Sequence, residues 1–238
     1  MIANLINFLL KHNHIAIVSK GTVFYNGVME DMGIPKKKTD HKFTYKEYCS
    51  WPEDERWELI DGVAYDMSPA PSSRHQRISG YLYTELSNFL KPKSCEVFSA
   101  PFDVLLPIFP IEDENKINTV VQPDISVICD STKIIEKGCL GAPDLIIEIL
   151  SPSTSKKDLN EKFQLYEKHG VKEYWVVDPG NKYIQVFHLL TEGENTGKYD
   201  DGTLVPPANW REDKNIIAKS LVLKGFTVDV KELFDSLV

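Results

Sequence analysis

The chain contains no long hydrophobic run. No segment approaches the ~18–20 consecutive apolar residues that a membrane-spanning helix requires, so no membrane association is expected. It also lacks a basic excess: 27 Lys and Arg stand against 35 Asp and Glu, for a formal net charge of −8. That balance excludes a protein that coats nucleic acid by bulk electrostatics, because such binding rests on Lys and Arg. It leaves room for an enzyme with a local basic rim, since carboxylate-rich sites lose much of their negative charge on holding divalent cations. Cysteine is sparse, at Cys49, Cys95, Cys129 and Cys139, with no C-x-x-C pair. Neither a zinc site nor a redox motif is signalled. Cys129 closes an apolar run and reads as a core thiol. A chain of this size, 42% hydrophobic, does not need disulfides to hold a core, so a reducing cytoplasm is expected. Internal repeats and low-complexity tracts are absent as well.

What is present suits one substantial domain with an appendage, in 238 residues. Residues 1–40 read as a separate N-terminal segment or arm, and 41–238 as the domain proper. The arm either packs on the body or on a second subunit, or precedes an alternative start at Met32. Met1 to Leu10 is fairly apolar but has no basic leading segment or small-residue cleavage site, so a short amphipathic helix is expected there rather than a signal peptide. Thr44 to Cys49 reads as a short helix. Arg56–Ile60 and Val63–Met67 flank Asp61-Gly62, a dipeptide suited to the positive φ angles of a tight hairpin. Between Ser72 and Leu90, apolar residues at Ile78, Leu82, Leu86 and Leu90 predict a helix of about five turns, stopped by Pro92. Strands are expected over Glu96–Leu106, Val120–Cys129, Leu145–Leu150, Glu173–Val177 and Tyr183–Leu189, with two short ones near Leu221 and Val228. Helices are expected over Ser155–His169 and Lys231–Leu237. Interspersed strands and helices indicate an α/β or α+β fold with a mixed central sheet.

The chemistry concentrates in three places. In Leu145-Ile146-Ile147-Glu148-Ile149-Leu150 every position but one is apolar, the pattern of a strand buried on both faces. Glu148 must then be paired, protonated or metal-bound, because an isolated buried charge is very costly. A structural salt bridge is the plain alternative. Asp124 follows Pro123 and opens the apolar run Ile125–Cys129, which places an acid at the mouth of a strand. Pro143-Asp144 looks similar but reads as a strand start. In the helix after Glu148, Ser155 and Asp158 fit a capping box, and Leu159, Lys162, Phe163 and Tyr166 share one face. Lys162 thus sits in an apolar stripe, either snorkelling to solvent or turned toward the acids. Two acids, one amine and a metal suit phosphodiester cleavage.

Asp124, Glu148 and Lys162, in that order, resemble the PD-(D/E)XK restriction-endonuclease-like superfamily. More closely, the chain resembles the Uma-type restriction-endonuclease family, formerly a domain of unknown function. The similar stretches are Trp57-Glu58-Leu59-Ile60-Asp61-Gly62, Met67-Ser68-Pro69 with His75-Gln76, Gln122-Pro123-Asp124, and Gly141-Ala142-Pro143-Asp144 through Glu148 and Ser151-Pro152-Ser153-Thr154 to Tyr174-Trp175-Val176-Val177-Asp178-Pro179. The resemblance implies mixed strands flanked by helices, with Mg²⁺ (or Mn²⁺) as cofactor. It implies Asp124 and Glu148 as metal-binding acids and Glu58 as a further metal ligand, the alternative for Glu58 being an exposed strand residue. The lysine usual two residues after the second acid is replaced by Leu150, and Lys162 on the following helix takes its place, with Lys156 and Lys157 as rivals. His75 is read as a hydrogen-bonded structural residue in preference to a base. Ser151 to Thr154 would hold the turn, cap the helix, or meet a phosphate there. Trp175 and Trp210 are read as packing residues before base-stacking ones.

The expected function is a metal-dependent endonuclease acting on DNA, with catalytic residues Asp124, Glu148, Lys162 and Glu58, and homodimerisation is compatible with the resemblance. The competing expectations are a catalytically silent nucleic-acid-binding or structural protein of the same fold, and a metal hydrolase acting on another phosphorylated substrate.

Overall fold

Two prolines divide what the sequence presents as two long strands. The computed structural model describes residues 41–235 except 53, 68–69, 109–112, 152–156 and 207–215, together with the backbone of a short hairpin, β1 (Ile17–Ser19) and β2 (Thr22–Phe24). The helix expected at Met1–Leu10, the last two residues of the one expected over Lys231–Leu237, the capping residue Ser155 and Trp210 lie outside the described residues.

The domain begins with α1 (Tyr45–Tyr48) and the hairpin β3 (Trp57–Ile60) and β4 (Val63–Asp66). Asp61 and Gly62 both take positive φ, 47° and 79°, as the two-residue turn requires. The long helix α2 (Ser73–Leu90) starts where Ser72 accepts a hydrogen bond from the His75 amide, and it buries Ile78, Leu82, Leu86 and Leu90. The expected strand 96–106 is instead β5 (Glu96–Ser99) and β6 (Asp103–Leu105), separated by Pro101. Likewise 120–129 is β7 (Val120–Val121) and β8 (Ile125–Ile128), separated by Gln122-Pro123-Asp124. Proline has no N–H to give a ladder, so pairing stops at each, and the chain passes from one sheet to another. The two crossings lie side by side, the Ala100 amide donating to the Asp124 carbonyl at 3.1 Å.

The remaining elements are β9 (Ile134–Ile135) and β10 (Gly138–Leu140), which the sequence pattern does not reveal, then β11 (Leu145–Ile149). A π-helical segment, Lys157–Lys162, runs into α3 (Phe163–His169), closed by Gly170 in the left-handed region (φ 82°). β12 (Glu173–Asp178), β13 (Tyr183–His188), β14 (Thr203–Val205), β15 (Ile217–Lys219), β16 (Thr227–Asp229) and α4 (Val230–Asp235) complete the chain. Leu221 falls in the turn between β15 and β16 rather than in a strand.

The central sheet runs β14-β13-β12-β11-β8-β5 and is mixed, with β11 and β12 parallel and its other pairs antiparallel. A parallel pair needs a crossover, and the segment from Lys157 through α3 supplies it. Helices flank both faces, as expected. Leu145, Ile147 and Ile149 pack with Ile78, Leu82, Leu86 and Leu90 of α2 and with Val230, Leu233 and Phe234 of α4. Ile146 and Leu150 face the other way, onto Leu159, Phe163 and Tyr166. This two-sided burial is why β11 is an almost unbroken apolar run. The second sheet, β4-β3-β7-β6-β10-β9, grows out of the two crossings.

Cys95 and Cys129 are joined in a disulfide, contrary to the reading of Cys129 as a free core thiol. Glu96 pairs with Ile128, and the same register continued by one residue sets the two cysteines opposite each other. The spacing along the chain gives no hint of this, because the pairing is set by sheet register. Cys49 and Cys139 are free, exposed and buried respectively.

Two stability outcomes follow from these features. Gly62→Ala would force a Cβ into the left-handed region and to within 3.1 Å of the Lys42 side chain; urea unfolding should register a loss of about 1–2 kcal/mol. Reducing the disulfide, which spans 34 residues, should lower unfolding free energy by about 3–4 kcal/mol on the chain-entropy model. Identical urea midpoints with and without reductant would show that the cross-link contributes nothing.

Candidate functional site

Glu148 points to the face of the central sheet covered by the crossover helix, since strand alternation puts it with Ile146 and Leu150. It is almost fully buried, 3% exposed, and the Lys162 ammonium meets its Oε1 at 2.8 Å. Glu58, on β3 of the second sheet and 1% exposed, brings its Oε1 to 3.0 Å from the same ammonium. Lys162 is itself buried, so its amine is turned inward and does not snorkel. One ammonium is thus shared by two carboxylates drawn from two sheets. Glu58 is not the exposed strand residue of the alternative reading.

Each acid has a second donor. The Tyr166 hydroxyl donates to Glu148 Oε1 at 2.6 Å, and the Gln122 amide donates to Glu58 Oε1 at 2.9 Å. Burial, followed by the nearby Glu148 and Glu58 charges, holds the Tyr166 phenol well above its ordinary pKa, so it acts as a neutral donor. These donors are what make buried carboxylates tolerable, because a charge removed from water must be paired and hydrogen-bonded.

Asp124 lies beside this trio. The β8–β11 register pairs Ile125 with Ile147, and one further step sets Asp124 opposite Glu148. Residues opposed across a strand pair project to the same face. Asp124 Oδ2 accepts from the Ile149 amide at 2.8 Å and lies 3.1 Å from His75 Nε2, while its side chain stays 19% exposed. Asp124 is therefore the acid of the group nearest to solvent. His75, buried in the first turn of α2, is a hydrogen-bonding partner of that acid, whereas Gln76 is exposed.

The segment that carries Lys162 differs from the continuous α-helix expected over 155–169. Residues 157–162 are π-helical, and Lys162 is the last of them. Such segments are rare and frequently found at functional sites. The inward face expected of Leu159, Lys162, Phe163 and Tyr166 is present, all four being buried. Lys156, the Lys157 side chain and residues 152–154 lie outside the described residues.

A polar network behind Glu58 has no local sequence signal. Arg56 donates to Gln122 Oε1, and Gln122 Nε2 donates to Asp103 Oδ1 at 2.8 Å and to the Tyr48 hydroxyl at 3.2 Å. Tyr48 in turn donates to Asp103 Oδ1. Burial raises the Asp103 carboxyl above its usual range. Asp144 is structural, accepting from the Cys129 amide and pairing with Lys172. Glu173 is structural too, fully buried and bound by the Trp175 indole and the Leu221 and Val222 amides. Trp175 packs in the core, as read.

Two carboxylates share one ammonium, with Asp124 in register beside them, and carboxylate oxygens are hard donors of the kind that Mg²⁺ and Mn²⁺ take. Among the described residues, no three His, Cys, Asp or Glu side chains converge closely enough to cage a metal ion. A cation held there would have fewer than three of these side chains as ligands. Replacing Lys162 by Met would strand two buried acids without their cation. Chemical denaturation should show a loss of about 3–5 kcal/mol, with Glu58→Gln in the same chain recovering part of it. An unchanged midpoint for Lys162→Met would mean the acids are not ionised together.

The chain is similar to other proteins over most of its length. Residues 45–229 match the family model Uma2, described as "Putative restriction endonuclease". The uncharacterized protein slr1290 of Synechocystis sp. is 30% identical over 192 residues, covering 79% of this chain and 90% of that one. A crystal structure of a "putative nuclease belonging to DUF820" from Anabaena variabilis superposes with a TM-score of 0.62 at 21% identity, covering 82% of this chain and 99% of that one. At that identity the superposition speaks for the fold alone, one of mixed strands and helices. With the family model spanning the whole region from α1 to β16, the chain belongs to the Uma2 family.

Proposed function

We propose that the chain is a metal-dependent endonuclease that hydrolyses DNA phosphodiester bonds, with Mg²⁺ (or Mn²⁺) held by Asp124 and Glu148 and with Glu58 beside them on the Lys162 ammonium. Family membership supports the nuclease-like part of this reading. The observation that carries the rest is the Lys162 ammonium, buried and shared between Glu148 and Glu58, with Asp124 in register beside them.

When bound, the metal supplies Lewis-acid polarisation of a phosphate oxygen and lowers the pKa of a water ligand. The chain's own residues do the remainder. Asp124, 19% exposed and the most open of the three acids, would hold the cation, its Oδ2 fixed by the Ile149 amide and His75. Lys162 presents a fixed positive charge where negative charge develops on the phosphate, or orients the attacking water. It does so inside a packed, water-poor environment, where such a charge acts more strongly than in solution. An overall charge of −8 makes the encounter with DNA depend on local basic groups, so cleavage should fall steeply as salt rises.

Purified protein with Mg²⁺ or Mn²⁺ should nick plasmid DNA, EDTA should stop it, and Asp124→Ala or Glu148→Ala should lower the rate by at least about 100-fold. Mn²⁺ should also raise the melting temperature of the wild type, since a ligand at 100 times its Kd stabilises by roughly 2.7 kcal/mol. Nicking that persists in both variants would assign the activity elsewhere. A wild type with neither nicking nor a Mn²⁺-dependent melt would favour the catalytically silent reading.

A further inference from the structure

We infer that Tyr166 is a positioning residue of this site: its hydroxyl, on Glu148 Oε1 at 2.6 Å, fixes the orientation in which Glu148 presents its carboxylate to a divalent cation. The inference rests on the metal-dependent reading above and extends it to a residue that the family pattern of acids and lysine does not include.

Three observations carry it. First, Tyr166 is held rigidly. It is fully buried, and its ring stands edge-on to Tyr174, with centroids 5.2 Å apart and planes at 71°. A phenol moves about only two side-chain torsions, so a packed ring places its oxygen firmly. Second, the two side-chain donors on Glu148 Oε1 differ in kind. Lys162 divides its ammonium between Glu148 at 2.8 Å and Glu58 at 3.0 Å, and its charge repels an approaching cation. The phenol has no net charge and holds the oxygen without opposing the metal. Third, the same device recurs at the other acids. Asp124 is tethered through Oδ2 by the Ile149 amide, and Glu58 through Oε1 by the Gln122 amide. At those two a backbone amide serves, joined at Asp124 by His75. At Glu148 the tether is a side chain, so a single oxygen atom can be removed to test it. Partners that orient metal-ligating carboxylates in this way commonly affect metal affinity by about 10–100-fold.

The matched control is Tyr199. It belongs to the same aromatic cluster, with its ring 6.3 Å from that of Tyr174, but its hydroxyl donates to the Val171 carbonyl and does not meet the acids. The experiment is a calorimetric Mn²⁺ titration of the full chain as wild type, Tyr166→Phe and Tyr199→Phe, together with melting curves with and without Mn²⁺ and plasmid-nicking kinetics. Tyr166→Phe should weaken Mn²⁺ binding about 10-fold, shrink the Mn²⁺-induced rise in Tm, and lower kcat with little change in KM for DNA. Tyr199→Phe should lose some thermal stability and bind Mn²⁺ as wild type does. Unchanged Mn²⁺ affinity in Tyr166→Phe, or equal losses in the two variants, would reduce the phenol to a packing group and overturn the inference while leaving the nuclease reading intact. No Mn²⁺ heat in the wild type would instead overturn the metal-dependent reading, and this inference with it.

Discussion

The arrangement depends on one electrostatic constraint: two carboxylates buried to 1% and 3% exposure around a single buried ammonium. Removing such charges from water costs several kcal/mol per ion, and mutual attraction offsets this only when geometry is good and the remaining lone pairs are bonded. Three separate elements must therefore arrive together. β3 brings Glu58 from the second sheet, β11 brings Glu148 from the central sheet, and the crossover segment brings Lys162 and Tyr166. The crossover exists because β11 and β12 are parallel and cannot be joined by a tight turn. Topology thus lays an amine over the end of the strand that carries the acid.

The tripeptide Gln122-Pro123-Asp124 fastens this arrangement from the other side. Pro123 ends the pairing of β7, and the chain changes sheet within three residues. On one side of the proline the Gln122 amide binds Glu58, and on the other Asp124 binds the amide next to Glu148. The side chain of Gln122 is anchored in turn by Arg56, Asp103 and Tyr48. A short crossing strand segment so becomes the common support of both buried acids. The arrangement also accounts for an acidic, partly exposed Asp124 at a strand mouth. It is the point where the ladder has stopped and a carboxylate can face outward while its neighbours cannot.

Much of this was legible in the chain, and the division has physical causes. Periodicity located α2 and its buried face to within a residue, because four apolar side chains at helical spacing leave few alternatives. Asp61-Gly62 announced the hairpin through its backbone requirements. The lone acid in an apolar strand marked Glu148, since burial of a charge is improbable without a reason. What was not legible depends on pairing between distant segments. The division of 96–106 and 120–129 between two sheets, the Cys95–Cys129 cross-link and the Asp103–Gln122–Tyr48 network are fixed by register, which local pattern does not specify. The hydroxyl of Tyr166 falls between these cases. Its position four residues after Lys162 sets both on one helical face, yet an aromatic residue in an apolar stripe gives no sign that its hydroxyl is bonded to an acid.

Leu150 shows why a motif read along the chain can mislead about a site in space. Two residues apart on a strand, Glu148 and residue 150 share a face, so a lysine at 150 would reach toward the same side as the acid. Here that place holds a buried leucine in contact with the helix-side core, where a lysine stem would displace apolar packing. The crossover segment brings an ammonium down onto the same face from above, 2.8 Å from Glu148. What the proposed chemistry constrains is a positive charge at that point, and the strand or helix that supplies it is secondary. The segment that ends at Lys162 is π-helical. Its wider spacing changes the angular position of residues 157–162 relative to an α-helix, and Lys162 lies where that segment meets α3.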